Sequence, residues 1–122
     1  MTSDLMASSE GPPLTVRTER HGATVLVVVG GEIDLLTAPR VREAGTEALA
    51  EHPARLVLDL TEVVFLASAG LEAMVSLREA AGDAAELRVV AGGTATLRPL
   101  EITGLTEVLD VYQTREEALR ED

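Results

Sequence analysis

The chain has 122 residues, 46% of them hydrophobic and 2% aromatic, with a formal net charge of −11 and no cysteine. That size and composition fit one domain with an aliphatic core, and the missing thiols exclude disulfides, thiolate nucleophiles and zinc–thiolate centres. The negative charge opposes docking on nucleic acid or on an anionic membrane surface, and the absence of lysine among the ten cations removes Schiff-base and nucleotide-loop lysines.

Taken in chain order, Met1–Pro13 is polar and ends in Gly11-Pro12-Pro13, which predicts a flexible tail over 1–13 and a domain over 14–122. It has neither the cationic start nor the apolar stretch of a signal peptide, so a cytoplasmic protein is expected. Leu14–Glu19 alternates apolar and polar like an edge strand, and Arg20-His21-Gly22 turns it into the doubly apolar run Thr24–Gly30. Beyond Gly30-Gly31-Glu32-Ile33-Asp34 a helix is expected from near Thr37, with Pro39 tolerated in its first turn and Val41, Ala44, Ala48 and Leu49 as its buried stripe.

Arg55–Leu60 reads as the third strand. A short loop then leads to a helix over Ser68–Ala81, with Leu71, Met74, Leu77 and Ala81 inward, Glu72, Ser76 and Glu79 outward, and Gly82 as its stop. Glu86–Ala91 is a fourth strand. The helix after Gly92-Gly93 is expected to place Pro99 in its first turn, capped by Thr94 or Thr96, and to close at Gly104. Glu107–Tyr112 is the last strand, and Thr114 with Glu117 forms a capping box for a final helix. The fold class is therefore α/β: a single domain with a mixed, mostly parallel sheet of about five strands and about four helices.

Ser68 is the residue with the most chemistry in reach. At a helix start its hydroxyl serves as a plain N-cap, or it accepts a phosphoryl group beside the positive end of the helix dipole. A nucleophile role is disfavoured. Leu66–Gly70 reads L-A-S-A-G without the first glycine of the hydrolase elbow, and His21 and His52 both precede the serine. The pairs Gly30-Gly31 and Gly92-Gly93 match no phosphate-loop pattern, and Glu32 and Asp34 lack further oxygen ligands, so no cofactor and no metal are expected. A small-molecule binder rests on the glycine-rich turns alone.

Three segments together carry a resemblance. Gly31-Glu32-Ile33-Asp34-Leu35-Leu36-Thr37-Ala38 is similar to the G-E-[IL]-D-x-x-T-A signature of STAS domains in bacterial anti-sigma-factor antagonists. Leu58-Asp59-Leu60 through Phe65-Leu66-Ala67-Ser68-Ala69-Gly70-Leu71 resembles that family's D-[LF]-S-x-V-x-F-[LM]-D-S-[ST]-G-[LI], with Ala67 and Ala69 departing from it. Thr103–Tyr112 and Arg115–Ala118 also fit.

The resemblance implies a partner-switching regulator without catalysis of its own. Such a protein binds an anti-sigma factor of the serine-kinase type and frees a sigma factor, until phosphorylation at Ser68 ends the complex. A PP2C-type phosphatase resets it. The partner-binding set implied is Asp34, Thr37, Ala67, Ser68, Ala69, Gly70, Leu71 and Glu72, on a protein expected to be a monomer or weak dimer. Alanine at 67, where the family has aspartate, leaves an alternative: a constitutive STAS scaffold, as a transporter accessory subunit or a sensory-complex component, without phosphorylation.

Overall fold

In the computed structural model, which describes residues 13–120, the most apolar run of the sequence lies inside the sheet. β1 (Thr15–His21) and β2 (Thr24–Ile33) form an antiparallel hairpin, and β3 (Arg55–Leu66), β4 (Glu86–Val90) and β5 (Asp110–Tyr112) follow as parallel strands in the order β1-β2-β3-β4-β5. Parallel neighbours need crossovers, and α1 (Ala38–Leu49), α2 (Ser68–Ala81) and α3 (Thr94–Ile102) supply them. A 3-10 turn at Leu105–Glu107 precedes β5, and α4 (Arg115–Leu119) ends the described chain.

The runs in β2 and β3 are apolar on both faces because both faces are covered. Val25, Val27, Val29, Leu56, Leu58 and Val89 share one core with Val41 of α1, Met74 and Leu77 of α2 and Leu100 of α3. The three crossover helices therefore lie on one face. The alternate residues Leu26, Val28, Val57 and Val90 pack with Ala118 of α4 on the other. The α1–α2 contact is close: a Cβ on Gly45 would stand 2.6 Å from Leu77 Cδ1.

The second face is held by charge as well as by apolar contact. Asp59, fully buried at the centre of β3, accepts from Arg115 Nε of α4 and from the Thr61 backbone N–H at 3.0 Å. Arg88, also buried, donates from Nη1 to the carbonyls of Ala118 (2.9 Å) and Arg120 (2.8 Å), and its guanidinium sits 4.9 Å from the centre of the Tyr112 ring. A five-residue helix is too short to be stable by itself, so these bonds are what seat α4.

Several elements differ from their sequence expectations. β3 runs to Leu66 rather than ending at Leu60, because residues 62–66 pair with Gly30–Ile33 across two register shifts. β2 likewise passes through Gly30-Gly31 instead of turning there. Gly31 makes this possible with φ +87°, and any Cβ would stand 2.2 Å from the Pro13 carbonyl oxygen.

α3 begins at Thr94 with Gly93 as its cap residue. Pro99 therefore falls in the second turn and gives up one helical hydrogen bond, in place of the expected first-turn position. β5 is confined to Asp110–Tyr112, since the preceding residues are taken by the 3-10 turn. The capping box at Thr114 is half formed: Thr114 Oγ1 accepts from Glu117 N at 3.2 Å, but the Glu117 carboxylate takes the Gln113 N–H instead of that of Thr114. The expected tail lies outside the described residues, Pro13 excepted.

Arg115→Ala leaves Asp59 buried without its counter-charge. Chemical denaturation should show a loss of about 2–3 kcal/mol, below the 3–5 of a fully buried pair because Arg115 is partly exposed.

Candidate partner-docking site

Two loops that leave neighbouring strands build the site. Ile33 and Leu66 are paired at the ends of β2 and β3, and the Ala67 N–H donates to the Ile33 carbonyl at 2.9 Å. The residues that follow, Asp34–Thr37 on one side and Ala67–Gly70 on the other, therefore start side by side. Gly70 closes the seam, because a Cβ there would stand 2.6 Å from Leu66 Cδ1 and 2.7 Å from Ile33 Cγ2.

The first loop is fastened by its own aspartate. Asp34 Oδ1 accepts from the backbone N–H groups of Leu36 and Thr37 and lies in reach of Thr37 Oγ1, all at 3.0 Å. Thr37 Oγ1 accepts from Asp34 N at 2.9 Å, and its single proton is shared between Asp34 Oδ1 and the Glu32 carbonyl, also at 3.0 Å. Hydrogen bonds from the Thr37 backbone and then its hydroxyl hold the Asp34 carboxyl below its ordinary range. With those polar groups engaged on each other, the loop turns its two leucines outward: Leu35 is 77% and Leu36 85% exposed.

The end of β3, just before the second loop, exposes apolar side chains of its own. Val64, the residue left out of the ladder between the Val63 and Phe65 pairs, and Phe65 itself are about half exposed. Phe65 is the chain's single phenylalanine. A protein with so few aromatics leaves it half exposed rather than buried in its core. Exposed large apolar side chains of this kind are candidates for a contact surface. Glu72, exposed on α2, and the half-buried Glu32 and Asp34 are the acidic residues on these segments.

Ser68, two residues beyond the end of β3, is exposed. It is the first residue of α2 rather than its cap. Ala67, with φ −88° and ψ 170°, occupies the cap position, and no side chain caps the helix. The N-cap expectation for Ser68 is thus corrected by one residue: the chain enters the helix at Ala67, whose carbonyl already accepts from Gly70 N and Leu71 N. The Ser68 hydroxyl is free of that duty.

A family model described as the STAS domain matches residues 15–118. This chain belongs to the STAS domain family. An anti-sigma-F factor antagonist of Mycobacterium tuberculosis is 38% identical to it over 106 residues, 87% of each chain. An anti-sigma-B factor antagonist of Listeria monocytogenes is 35% identical over 97 residues, 76% of this chain and 82% of that one. The crystal structure of an anti-sigma factor antagonist from Mycobacterium paratuberculosis superposes with a TM-score of 0.84 at 39% identity, covering 88% of this chain and 92% of the other.

Within this STAS domain the residues singled out from sequence fall into three groups. Ser68 and Glu72 are exposed one helical turn apart on α2, while Asp34, Thr37, Ala67 and Ala69 are half-buried. Gly70 and Leu71 are buried beneath the surface, Leu71 in the main core, so they shape the site from below. Leu35, Leu36, Val64 and Phe65 were not legible as surface residues. In sequence they look like core, and only the unbroken apolar spelling L-L beside a turn-forming aspartate hinted otherwise. Among the described residues no His, Asp or Glu cluster is arranged to hold a metal ion, and no helix is long and apolar enough to cross a membrane.

Ala67→Asp puts an acceptor on the uncapped N–H groups of α2 and should raise stability by about 1 kcal/mol, read as an increase in Tm. Gly70→Ala should lower it by about 1–3 kcal/mol by forcing Ile33 and Leu66 apart. The lowered Asp34 carboxyl adds stability above the ordinary aspartate pKa near 4, lost as pH falls through the folded-state value. In acid-unfolding curves, Asp34→Ala should remove that contribution at neutral pH and flatten the loss below about pH 4.

Proposed function

We propose that this STAS domain is an anti-sigma factor antagonist that docks on an anti-sigma factor through Leu35, Leu36, Val64, Phe65 and the exposed start of α2. The observation that carries the reading is the exposed hydroxyl of Ser68 at the start of α2, with no capping role, in a domain that also exposes Leu35, Leu36, Val64 and Phe65. The names of the 38% and 35% identical relatives support the partner class. The chain then acts by binding and not by catalysis.

Phosphorylation of Ser68 is the proposed release step, with the anti-sigma factor itself as an ATP-dependent serine kinase. Ser68 Oγ takes the γ-phosphoryl group, its proton leaves, and ADP departs. The product carries about −1.5 to −2 charges at neutral pH where the hydroxyl carried none. Burying that dianion against a partner, one turn from the Glu72 carboxylate, costs desolvation and repulsion. A coupling of about 3 kcal/mol suffices for a 150-fold loss of affinity without any change of fold. A metal-dependent phosphatase of the PP2C type is the proposed reset, in the cytoplasm.

Ala67 favours a second reading, a constitutive scaffold. With no carboxylate in the cap position, nothing there orients the serine for a kinase. Incubation with the anti-sigma factor and ATP separates the two: one phosphate on Ser68, absent from Ser68→Ala, supports the switch, and binding without phosphate transfer supports the scaffold. Ser68→Asp should weaken the complex at least tenfold, whereas Ser68→Ala should bind like the wild type. Leu36→Glu and Phe65→Glu should each cost about 2 kcal/mol of binding, as buried anchors do, with circular dichroism unchanged. Retention of affinity in both would move the docking surface elsewhere.

A further inference from the structure

We infer that β1 is a self-pairing edge, through which two copies of this chain join their sheets about a two-fold axis at Thr18. Among the described residues β1 lies at the end of the strand order with β2 on one side only, so half of its backbone groups face outward. Which half follows from the turn. Gly22-Ala23 is a two-residue hairpin loop, so the flanking pair His21↔Thr24 exchanges hydrogen bonds, as do Glu19↔Leu26 and Arg17↔Val28. The N–H and C=O groups of Val16, Thr18 and Arg20 are left pointing away from the sheet.

Those three residues are spaced symmetrically about Thr18, the central residue of the seven-residue strand. A second β1 laid antiparallel over its full length sets Thr18 against Thr18 and Val16 against Arg20, and each facing pair exchanges two N–H···O bonds. Between them, at the closer non-hydrogen-bonded positions, Arg17 of one copy meets Glu19 of the other, twice by symmetry. These side chains already share one face, since Arg17 Nε lies 3.2 Å from Glu19 Oε2 within the chain. Opposite charges directly across a strand pair stabilise it.

The charges also select the register. Slipping the pairing to the next centre that keeps the outward groups matched puts Arg17 against Arg17 on one side, or Glu19 against Glu19 on the other. Like charges directly opposite are unfavourable, so both slips are disfavoured. The location fits as well. In a chain of net charge −11, β1 carries Arg17, Arg20 and His21 against one Glu19, and the nearby Glu62 and Glu51 are paired with Arg17 and Arg20, so the acid at this edge is balanced by cations. The occupant is thus a second copy, an isologous contact. It lies on the sheet edge that begins the order, independent of the Ser68 reading.

Sedimentation of the full chain over a concentration series tests this. The wild type should show a monomer–dimer equilibrium. Thr18→Pro removes an outward N–H while leaving the β1–β2 ladder intact, and should yield a monomer with an unchanged melting temperature. Arg17→Glu and Glu19→Arg should each weaken dimerisation about tenfold, and the double exchange R17E/E19R should restore it, since it rebuilds the same pairs in reverse. A monomeric wild type at about 1 mM, a dimer indifferent to Thr18→Pro, or single exchanges that the double exchange fails to rescue would each overturn the proposal.

Discussion

The end-to-end pairing of β2 with β3 is the constraint on which the functional surface depends. Ile33 and Leu66 bring two loops to one place, the Ala67 N–H locks the second loop to the end of β2, and Gly70 lets α2 start there without displacing Ile33 and Leu66. The two register shifts that precede this point have a further effect. They rotate Val64 and Phe65 out of the alternation that would otherwise bury one of them. A surface made of exposed leucines and a lone phenylalanine would be costly anywhere on a monomer. It is held here by the parallel ladder under Val64 and Phe65 and by the Asp34–Thr37 hydrogen bonds that fasten the loop carrying Leu35 and Leu36.

The two faces of the sheet divide the work. One is covered by three crossover helices and is almost wholly aliphatic, which gives the domain most of its hydrophobic stabilisation. The other is closed by a five-residue helix through Asp59–Arg115 and the two Arg88–carbonyl bonds. Charge does there what area cannot, since so short a helix buries little beyond Ala118. The proposed docking surface stands at the strand ends, clear of both arrangements. A charge change at Ser68 can therefore alter binding without reaching either core, which suits a switch that acts by electrostatics rather than by refolding.

Much of the fold was readable from pattern. The hairpin, the helix over Ser68–Ala81, the Pro39 entry to α1 and the outward placement of Glu72, Ser76 and Glu79 all follow from periodicity and from residues with a fixed backbone preference. The misses share one cause. The length of β3, the passage of β2 through Gly30-Gly31 and the shortness of β5 depend on which backbone groups a neighbouring strand offers, and no local signal reports that. Pro99 is similar: local preference places it in a first turn, but the helix takes Gly93 as its cap residue and starts at Thr94, while Leu100 beside the proline is packed in the core.

Of the site, the sequence alone determined the serine, its place near a helix start, the acidic character of its surroundings and the exclusion of thiol, lysine and phosphate-loop chemistry, because these depend only on residue type and spacing. Tertiary structure decided that Ala67 rather than Ser68 is the cap, that Asp34 and Thr37 are engaged with each other, and that Leu35, Leu36 and Phe65 face water. The physical reason is that exposure belongs to pairs of segments. An apolar residue is core or docking surface according to what the rest of the chain lays over it, and for these three the pairing of β2 with β3 lays nothing.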